Sequence, residues 1–309
     1  MYDTFNAIAP VFLIIVIGHV LNRTELIGKD IWSAIEHICF YVLLPFLIIR
    51  TLSRANLGDV PILDFCLVLI IAIVGMSLLL IVLRTLFRDT SRVSDPTFSS
   101  LFQGATRFHG FMALAIIAPL YGDPGVTLAA IALGVMVPLL NIFCVIVLSI
   151  YGDNDDDVNF STLTRRVLTN PLILACVAGL TLNLTGIPDV LFDTVVIIGS
   201  GGLGLVLLSV GAGLQLGHAA DNKLLVSAGV LIRLLGMPLL VLLMSWMIGL
   251  EGMARTIALI AGAVPSASSS YVMARKMGGD ANLMSSILTF QVIVAFFTLP
   301  MFVYIASIL

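Results

Sequence analysis

The segment Gly262-Ala-Val-Pro-Ser-Ala-Ser-Ser-Ser-Tyr271 places a proline and four serines in the middle of an apolar stretch that runs over about 255–275. A stretch of roughly 17–25 apolar residues is long enough to cross the hydrocarbon core of a bilayer. Pro265 has no backbone N–H and interrupts a helix at this point. Unwound backbone at membrane depth is tolerated only inside protein or beside water. The segment therefore predicts a membrane-spanning helix that is broken at a polar site.

The composition of the whole chain also indicates a membrane protein. Of its 309 residues, 60% are hydrophobic and only 11% are charged, and the mean hydropathy is +1.14. A soluble domain has about a quarter of its residues charged. The surface must therefore face the lipid bilayer, and a net charge of −3 does not favour nucleic acid as a partner. Ten apolar stretches are long enough to span: about 4–21, 31–49, 61–83, 97–120, 125–151, 166–185, 188–215, 224–249, 255–275 and 281–308.

Lysine and arginine placement predicts the orientation of these spans. With the N-terminus outside, ten of the fifteen cationic residues fall on the inner side and three on the outer side. The inner ones are Arg23, Lys29, Arg84, Arg88, Arg92, Arg165, Arg166, Lys223, Arg275 and Lys276; the outer ones are Arg50, Arg54 and Arg255. Both termini are therefore expected to be extracytoplasmic.

An internal repeat relates the two halves of the chain. When Pro10–Thr24 is compared with Pro171–Thr185, seven of fifteen residues are identical, including proline, glycine and asparagine, which apolar bias does not explain. Each half, 1–157 and 158–309, then holds five spans, and an odd number makes the halves insert in opposite directions. The predicted fold is all-α, with ten transmembrane helices in a 5+5 inverted repeat. In such transporters the site lies near the midplane between repeats.

Span four is predicted to be broken opposite span nine. It reads Gly104-Ala-Thr-Arg-Phe-His-Gly-Phe111, with Gly110 as the natural break point. At ~1.5 Å per helical residue, Arg107 lies ~18 Å from Asp95 at the inner end of its span. Arg233 on span eight lies at a similar depth. An arginine at the bilayer centre costs roughly 2.5–3.5 kcal/mol, so both are expected to face protein, water or an anion.

Two interpretations are open for each of these polar residues. The arginines either bind helix-end carbonyls or anchor a carboxylate through paired hydrogen bonds. Several serines of span nine could bond to their own helix instead of a ligand. The predicted binding residues are Arg107, His109, Gly110, Arg233, Pro265, Ser266, Ser268, Ser269 and Gln291. His109 is the candidate for proton coupling; its alternative is a neutral histidine hydrogen-bonded in place.

The absence of acidic residues from the span centres limits other classes of function. No Asp or Glu lies near the centre of spans four, five, nine or ten, so a carboxylate cage for sodium is not expected. The four cysteines form no C-x-x-C pair, and neither a metal site nor a cofactor is predicted. An intramembrane enzyme that uses His109 and a serine lacks a central carboxylate partner. A receptor-like binder remains an alternative that predicts binding without flux.

Several segments together resemble the auxin efflux carrier family, which includes plant PIN-type auxin exporters and bacterial malate and malonate permeases. They are Leu44-Pro-Phe-Leu47, Arg107-Phe-His-Gly110, Leu120-Tyr-Gly122, Asn170-Pro-Leu-Ile173, Arg233-Leu-Leu-Gly-Met-Pro238, Pro265-Ser-Ala-Ser-Ser-Ser-Tyr-Val-Met-Ala274, Gly278-Gly-Asp-Ala281 and Gln291. The chain departs from the family pattern in two places. Relatives usually carry Asn at the His109 position, and many have a crossing proline in span four that is absent here.

The resemblance implies a bile-acid-symporter-like fold and an elevator mechanism. Spans 1, 2, 6 and 7 would form a dimerising scaffold, and spans 3–5 and 8–10 a transport domain that moves. The implied function is secondary transport of a small organic anion, either an auxin-like weak acid or a malate- or malonate-type carboxylate, across the bacterial inner membrane. A sodium-coupled symporter of the same fold is the alternative within transport.

Overall fold

The computed structural model of the protein describes residues 2–58, 61–86, 93–153, 165, 168–214 and 222–308. All regular structure in these residues is helical, as expected, and they contain no β-strand. The α-helices are α1 (Tyr2–Arg23), α2 (Lys29–Ile38), α3 (Leu44–Ser53), α4 (Ile62–Leu86), α5 (Asp95–Thr106), α6 (Gly110–Tyr151), α7 (Pro171–Thr185), α8 (Asp189–Ser200), α9 (Gly202–Ala212), α10 (Lys223–Leu231), α11 (Met237–Ile248), α12 (Gly252–Ala263), α13 (Ser269–Lys276) and α14 (Ala281–Ile308). The predicted repeat boundary at 157/158 lies outside the described residues, as do Arg88, Arg92 and Arg166.

Six helical ranges among the described residues are long and apolar enough to cross a membrane. They are Asp30–Ser53, Ile62–Leu86, Asp95–Tyr151, Asp189–Ala212, Lys223–Ile248 and Ala281–Ala306. Shorter apolar helices cover Ile8–Arg23, Pro171–Thr185 and Gly252–Ala263. The range Asp95–Tyr151 is not one rod, because α5 ends at Thr106 and Gly122 inside α6 has φ 57° and ψ −155°. The chain is thus a multi-pass membrane protein, and the ten-helix inverted repeat stays a prediction.

The described chain separates into two compact units. The first comprises residues 1–63, 110–134 and 165–214, and the second comprises 64–109, 135–164 and 215–309, apart from the masked positions in each. Predicted spans 1, 2, 6 and 7 fall in the first unit, together with the first part of α6. The ends of α5 and α12 and the start of α13, which form the polar site described below, belong to the second unit.

Close helix pairs hold the first unit together. α1 packs against α9, and α7 packs against α3. A Cβ added at Gly18 would overlap the backbone of Leu208, and one added at Gly211 would overlap the backbone of Ile15. A Cβ at Gly179 would lie 2.8 Å from Leu52 Cβ. Glycine at these positions therefore lets the helix backbones approach each other, which favours packing between helices in lipid.

Asparagine side chains secure the ends of the same two helix pairs. Asn22 on α1 donates from Nδ2 to the carbonyl of Ala212 at the end of α9, at 2.9 Å. Asn183 on α7 donates to the carbonyl of Leu52, in the last turn of α3, at 3.0 Å, and to that of Ala55, beyond the helix, at 2.9 Å. The last carbonyls of a helix lack partners within the helix. In both pairs an asparagine therefore stabilises the end of the neighbouring helix.

Replacing Gly211 by alanine tests whether this backbone contact stabilises the first unit. We expect Gly211→Ala to lower the thermal unfolding temperature, because overpacking costs about 1–3 kcal/mol. Gly204→Ala is the matched control, since Gly204 lies on the same helix with no atom within 4 Å of an added Cβ. The control should be neutral or slightly stabilising. Equal melting temperatures of the two purified variants would contradict the assignment.

Candidate functional site

Two helices of the second unit end at equivalent extended residues. α5 ends at Thr106, and Arg107 follows with φ −65° and ψ 152°. α12 ends at Ala263, and Val264 follows with φ −69° and ψ 150°. Val264 precedes Pro265, and a residue before proline is driven out of the α region. The predicted breaks at both segments are therefore present, and each leaves backbone carbonyls without partners in its own helix.

Arg233 binds the carbonyls of both helix ends. Its Nε donates to Val264 at 2.8 Å, one Nη to Ala261 at 2.9 Å, and the other Nη to Thr106 at 3.3 Å. The side chain is fully buried, with 0% exposure, in a π-helical turn between α10 and α11. Helix C-termini carry partial negative charge. Of the two interpretations of this arginine, the geometry favours the one in which helix-end carbonyls satisfy the cation.

Gln291 and Ser266, together with Arg233, form a clamp between the two helix ends. Gln291 Nε2 donates to the carbonyls of Gly104 at 2.7 Å and Gly229 at 3.1 Å, while its Oε1 accepts from the backbone N–H of Ser266 at 2.9 Å. Ser266 Oγ donates to the carbonyls of Gly104 and Arg107, at 2.7 and 3.2 Å. Both side chains are buried and hold the breaks in place.

Backbone contacts connect the two breaks directly. The N–H of His109 donates to the carbonyl of Pro265 at 2.7 Å. The His109 side chain is buried, and Gly110 follows as the first residue of α6. Ser268 is half-buried and lies at the N-cap of α13. The predicted residues of both breaks are thus brought together, and their role in binding stays a prediction.

Arg107 differs from Arg233 because its guanidinium bonds side chains and not helix-end carbonyls. One Nη donates to Met273 Sδ at 3.2 Å, and the other donates to Asn141 Oδ1 at 3.0 Å and Ser269 Oγ at 3.2 Å. Its side chain is buried, with 9% exposure, and the neighbouring Ser269 is exposed. Arg107 therefore lies beside an accessible edge of the polar site.

The charge of Arg107 is not neutralised within the part of the chain that the structure describes. The ion pairs there join Arg50 to Asp123, Arg54 to Asp189, and Arg84 to Asp95, and Arg107 has no carboxylate within 4 Å. Nor do the described residues contain a group of three or more His, Cys, Asp or Glu side chains that could hold a metal ion. The site can therefore attract an anion.

Sequence reasoning missed three neighbours of this arginine. Asn141 and Met273 contact its guanidinium, and the backbone carbonyl of Gln103 accepts a hydrogen bond from its backbone N–H. Asn141 could have been recognised from the sequence as a candidate site residue, since it is a polar amide inside an otherwise apolar span. The contact of Met273 with Arg107 could not be predicted, because methionine is common in apolar helices and the residue it contacts depends on tertiary packing.

Substituting Arg233 distinguishes a structural clamp from a ligand contact. We expect Arg233→Met to lower the thermal stability markedly, because each buried carbonyl left unpaired costs about 1–3 kcal/mol. Lys223→Met is the matched control, since Lys223 is an exposed cation at the start of α10. Unfolding of both variants is followed by size-exclusion chromatography after heating. A variant at 233 that melts like the control would contradict the clamp.

Comparison with known proteins identifies the family. The model of the family described as Mem_trans, membrane transport protein, matches residues 3–303. An "Uncharacterized transporter" of Methanothermobacter thermautotrophicus is 24% identical over 310 residues, and "Uncharacterized transporter YfdV" of Escherichia coli K12 is 23% identical over 315 residues; each match covers 96% of both chains. These names are those of transporters, not enzymes. The chain belongs to the membrane transport protein family that includes the auxin efflux carriers.

Proposed function

We propose that this protein is a secondary transporter of small organic anions that binds the substrate carboxylate at Arg107. The observation that carries the proposal is an arginine at a helix break that has neutral partners and borders an exposed serine. A guanidinium can bind a carboxylate through two parallel hydrogen bonds. The substrate would enter beside Ser269 and displace the weak contact to Met273, while Asn141 keeps the guanidinium oriented.

The helix ends around Arg107 add to this attraction. α13 begins at Ser269, which contacts the guanidinium, and α6 begins three residues after Arg107. Helix N-termini carry partial positive charge and favour anions. In transporters with broken helices, such N-termini point at anionic groups of the substrate near the midplane. Arg107 with these N-termini therefore favours a carboxylate over a cation.

The proposed architecture is a 5+5 inverted repeat, with residues 1–157 and 158–309 as its halves. The helix contacts of the first unit support it. Gly18 and Asn22 of α1 are related by the sequence repeat to Gly179 and Asn183 of α7. Each glycine allows close backbone approach, and each asparagine bonds the end of the neighbouring helix. Equivalent residues thus make equivalent contacts.

Transport would proceed by an elevator movement, with spans 1, 2, 6 and 7 as the scaffold. The separation of the chain into two compact units supports this division. We further propose that the protein forms a homodimer through the scaffold in the bacterial inner membrane, with both termini extracytoplasmic. His109 has a buried side chain, and its backbone N–H bonds the carbonyl of Pro265. It is the residue proposed to couple movement to protons.

Removal of the Arg107 charge tests the binding site. We expect Arg107→Gln to weaken carboxylate binding at least tenfold, because hydrogen bonds to charged groups contribute about 1.5–3 kcal/mol. Arg54→Gln is the control, since Arg54 is an exposed arginine already paired with Asp189 at 2.6 Å. Binding is measured by ligand-dependent thermal stabilisation of purified protein over a panel of carboxylates. Unchanged binding in Arg107→Gln would refute the site.

Flux measurements separate transport from the alternative functions. In proteoliposomes, a radiolabelled carboxylate identified by the binding screen should cross the membrane chemically unchanged and without sodium on either side. Chemical conversion of the compound would indicate an enzyme, and binding without flux would indicate a receptor. Uptake that requires a sodium gradient would favour the sodium-coupled symporter of the same fold.

A further inference from the structure

α5 and α13 pack against each other, and a contact near each end shows that they run antiparallel. At one end, Ser266, just before α13, bonds through Oγ to the carbonyl of Arg107 at 3.2 Å. At the other end, a Cβ added at Gly279 would lie 3.0 Å from Ser100 Oγ and 3.2 Å from Ala274 Cα. Ser100 and Ala274 therefore both lie beside Gly279, and Ser266 lies beside Arg107.

Gln103 of α5 and Ser270 of α13 lie, along their helices, between the residues of these two contacts. Both side chains are completely buried, with 0% exposure. Neither the Oε1 and Nε2 atoms of Gln103 nor the Oγ of Ser270 has a hydrogen-bond partner among the described residues. Buried polar groups are normally paired, and an unpaired one calls for an explanation. Two such side chains on facing helices indicate a place where a polar group binds.

The surroundings of this pair determine which polar group fits. Arg107 lies one helical turn along α5 from Gln103, and Ser269, which contacts its guanidinium, precedes Ser270. The guanidinium disfavours a cation at this position. A second carboxylate would place negative charge against Gln103 Oε1. A hydroxyl group instead donates to Oε1 and accepts from Nε2 or from the Ser270 hydroxyl, so it pairs with both kinds of atom at once.

We propose that Gln103 and Ser270 form a second subsite that binds the hydroxyl group of a short hydroxycarboxylate. The inference rests on the proposed function, because the carboxylate of the same molecule is bound at Arg107. Side chains four residues apart on a helix have Cβ atoms about 5–6 Å apart, so the hydroxyl and the carboxylate belong to one short carbon chain. The exposed Ser269 marks the entrance, and the buried pair forms the inner end of the site.

The test compares 3-hydroxybutyrate with butyrate, which differ only in the hydroxyl group. A site built to bond a substrate hydroxyl discriminates strongly against the analogue that lacks it, because its own polar groups are then left unpaired. We expect the full-length wild-type protein to bind 3-hydroxybutyrate at least tenfold more tightly than butyrate, measured by isothermal titration calorimetry. In Gln103→Met, which keeps the length of the side chain without its amide, the two affinities should converge.

Ser245→Ala is the control for removal of a buried hydroxyl. Ser245 is fully buried and lacks a hydrogen-bond partner among the described residues, and it lies on α11 twelve residues after Arg233. The preference for 3-hydroxybutyrate should persist in this variant. A preference that is lost equally in Ser245→Ala and Gln103→Met would overturn the subsite.

The outcomes also separate this inference from the proposed function. Equal wild-type affinities for the two compounds, with binding that depends on Arg107, would overturn the hydroxyl subsite and leave the anion site in place. A preference that persists in Gln103→Met would do the same. Failure of wild-type protein to bind either compound, while other carboxylates bind through Arg107, would overturn the subsite alone. Failure to bind any carboxylate of the panel would overturn both. The affinities of the wild-type protein for 3-hydroxybutyrate and butyrate test the hydroxyl subsite even where Gln103→Met does not fold.

Discussion

A helix that ends inside a membrane protein must find partners for its last carbonyls, and this constraint organises the second unit. Arg233 supplies three donors to the ends of α5 and α12 together, and Gln291 donates to Gly104. An unpaired carbonyl inside the hydrocarbon region of a bilayer has no water molecule as a hydrogen-bond partner. The breaks can therefore exist only because these side chains replace the missing helical hydrogen bonds. The polar site depends on this clamp.

The clamp also explains how two buried arginines can have different functions. Arg233 donates three hydrogen bonds to backbone carbonyl oxygens, and its side chain is fully buried. Arg107 contacts a thioether, an amide and a hydroxyl beside an exposed residue. A thioether is a weak acceptor, so this arginine has bonding capacity left for a ligand. Arg233 holds the helix ends in place, and Arg107 is the arginine proposed to contact a ligand.

The sequence was sufficient to predict the helical fold class, the membrane location and the positions of both breaks. Proline, glycine and serine change local backbone preference, so a break at 264–268 follows from residue type alone. The partners of the two arginines could not be predicted, because Arg107 and Arg233 have the same chemistry and similar depth in their spans. Their difference arises from which carbonyls and side chains the tertiary packing brings near. Gln103 was missed for the same reason.

A weakly held anchor suits transport better than a tightly paired one. A carboxylate that bound both arginines in a closed cavity would be difficult to release on the other side of the membrane. Because the donors of Arg233 are bonded to backbone carbonyls, an anion at the proposed site would contact one guanidinium, that of Arg107. The hydrogen bonds that stabilise the broken helices thus limit the number of arginine donors open to a ligand. In the proposed mechanism, stable breaks and reversible binding are therefore two consequences of one arrangement.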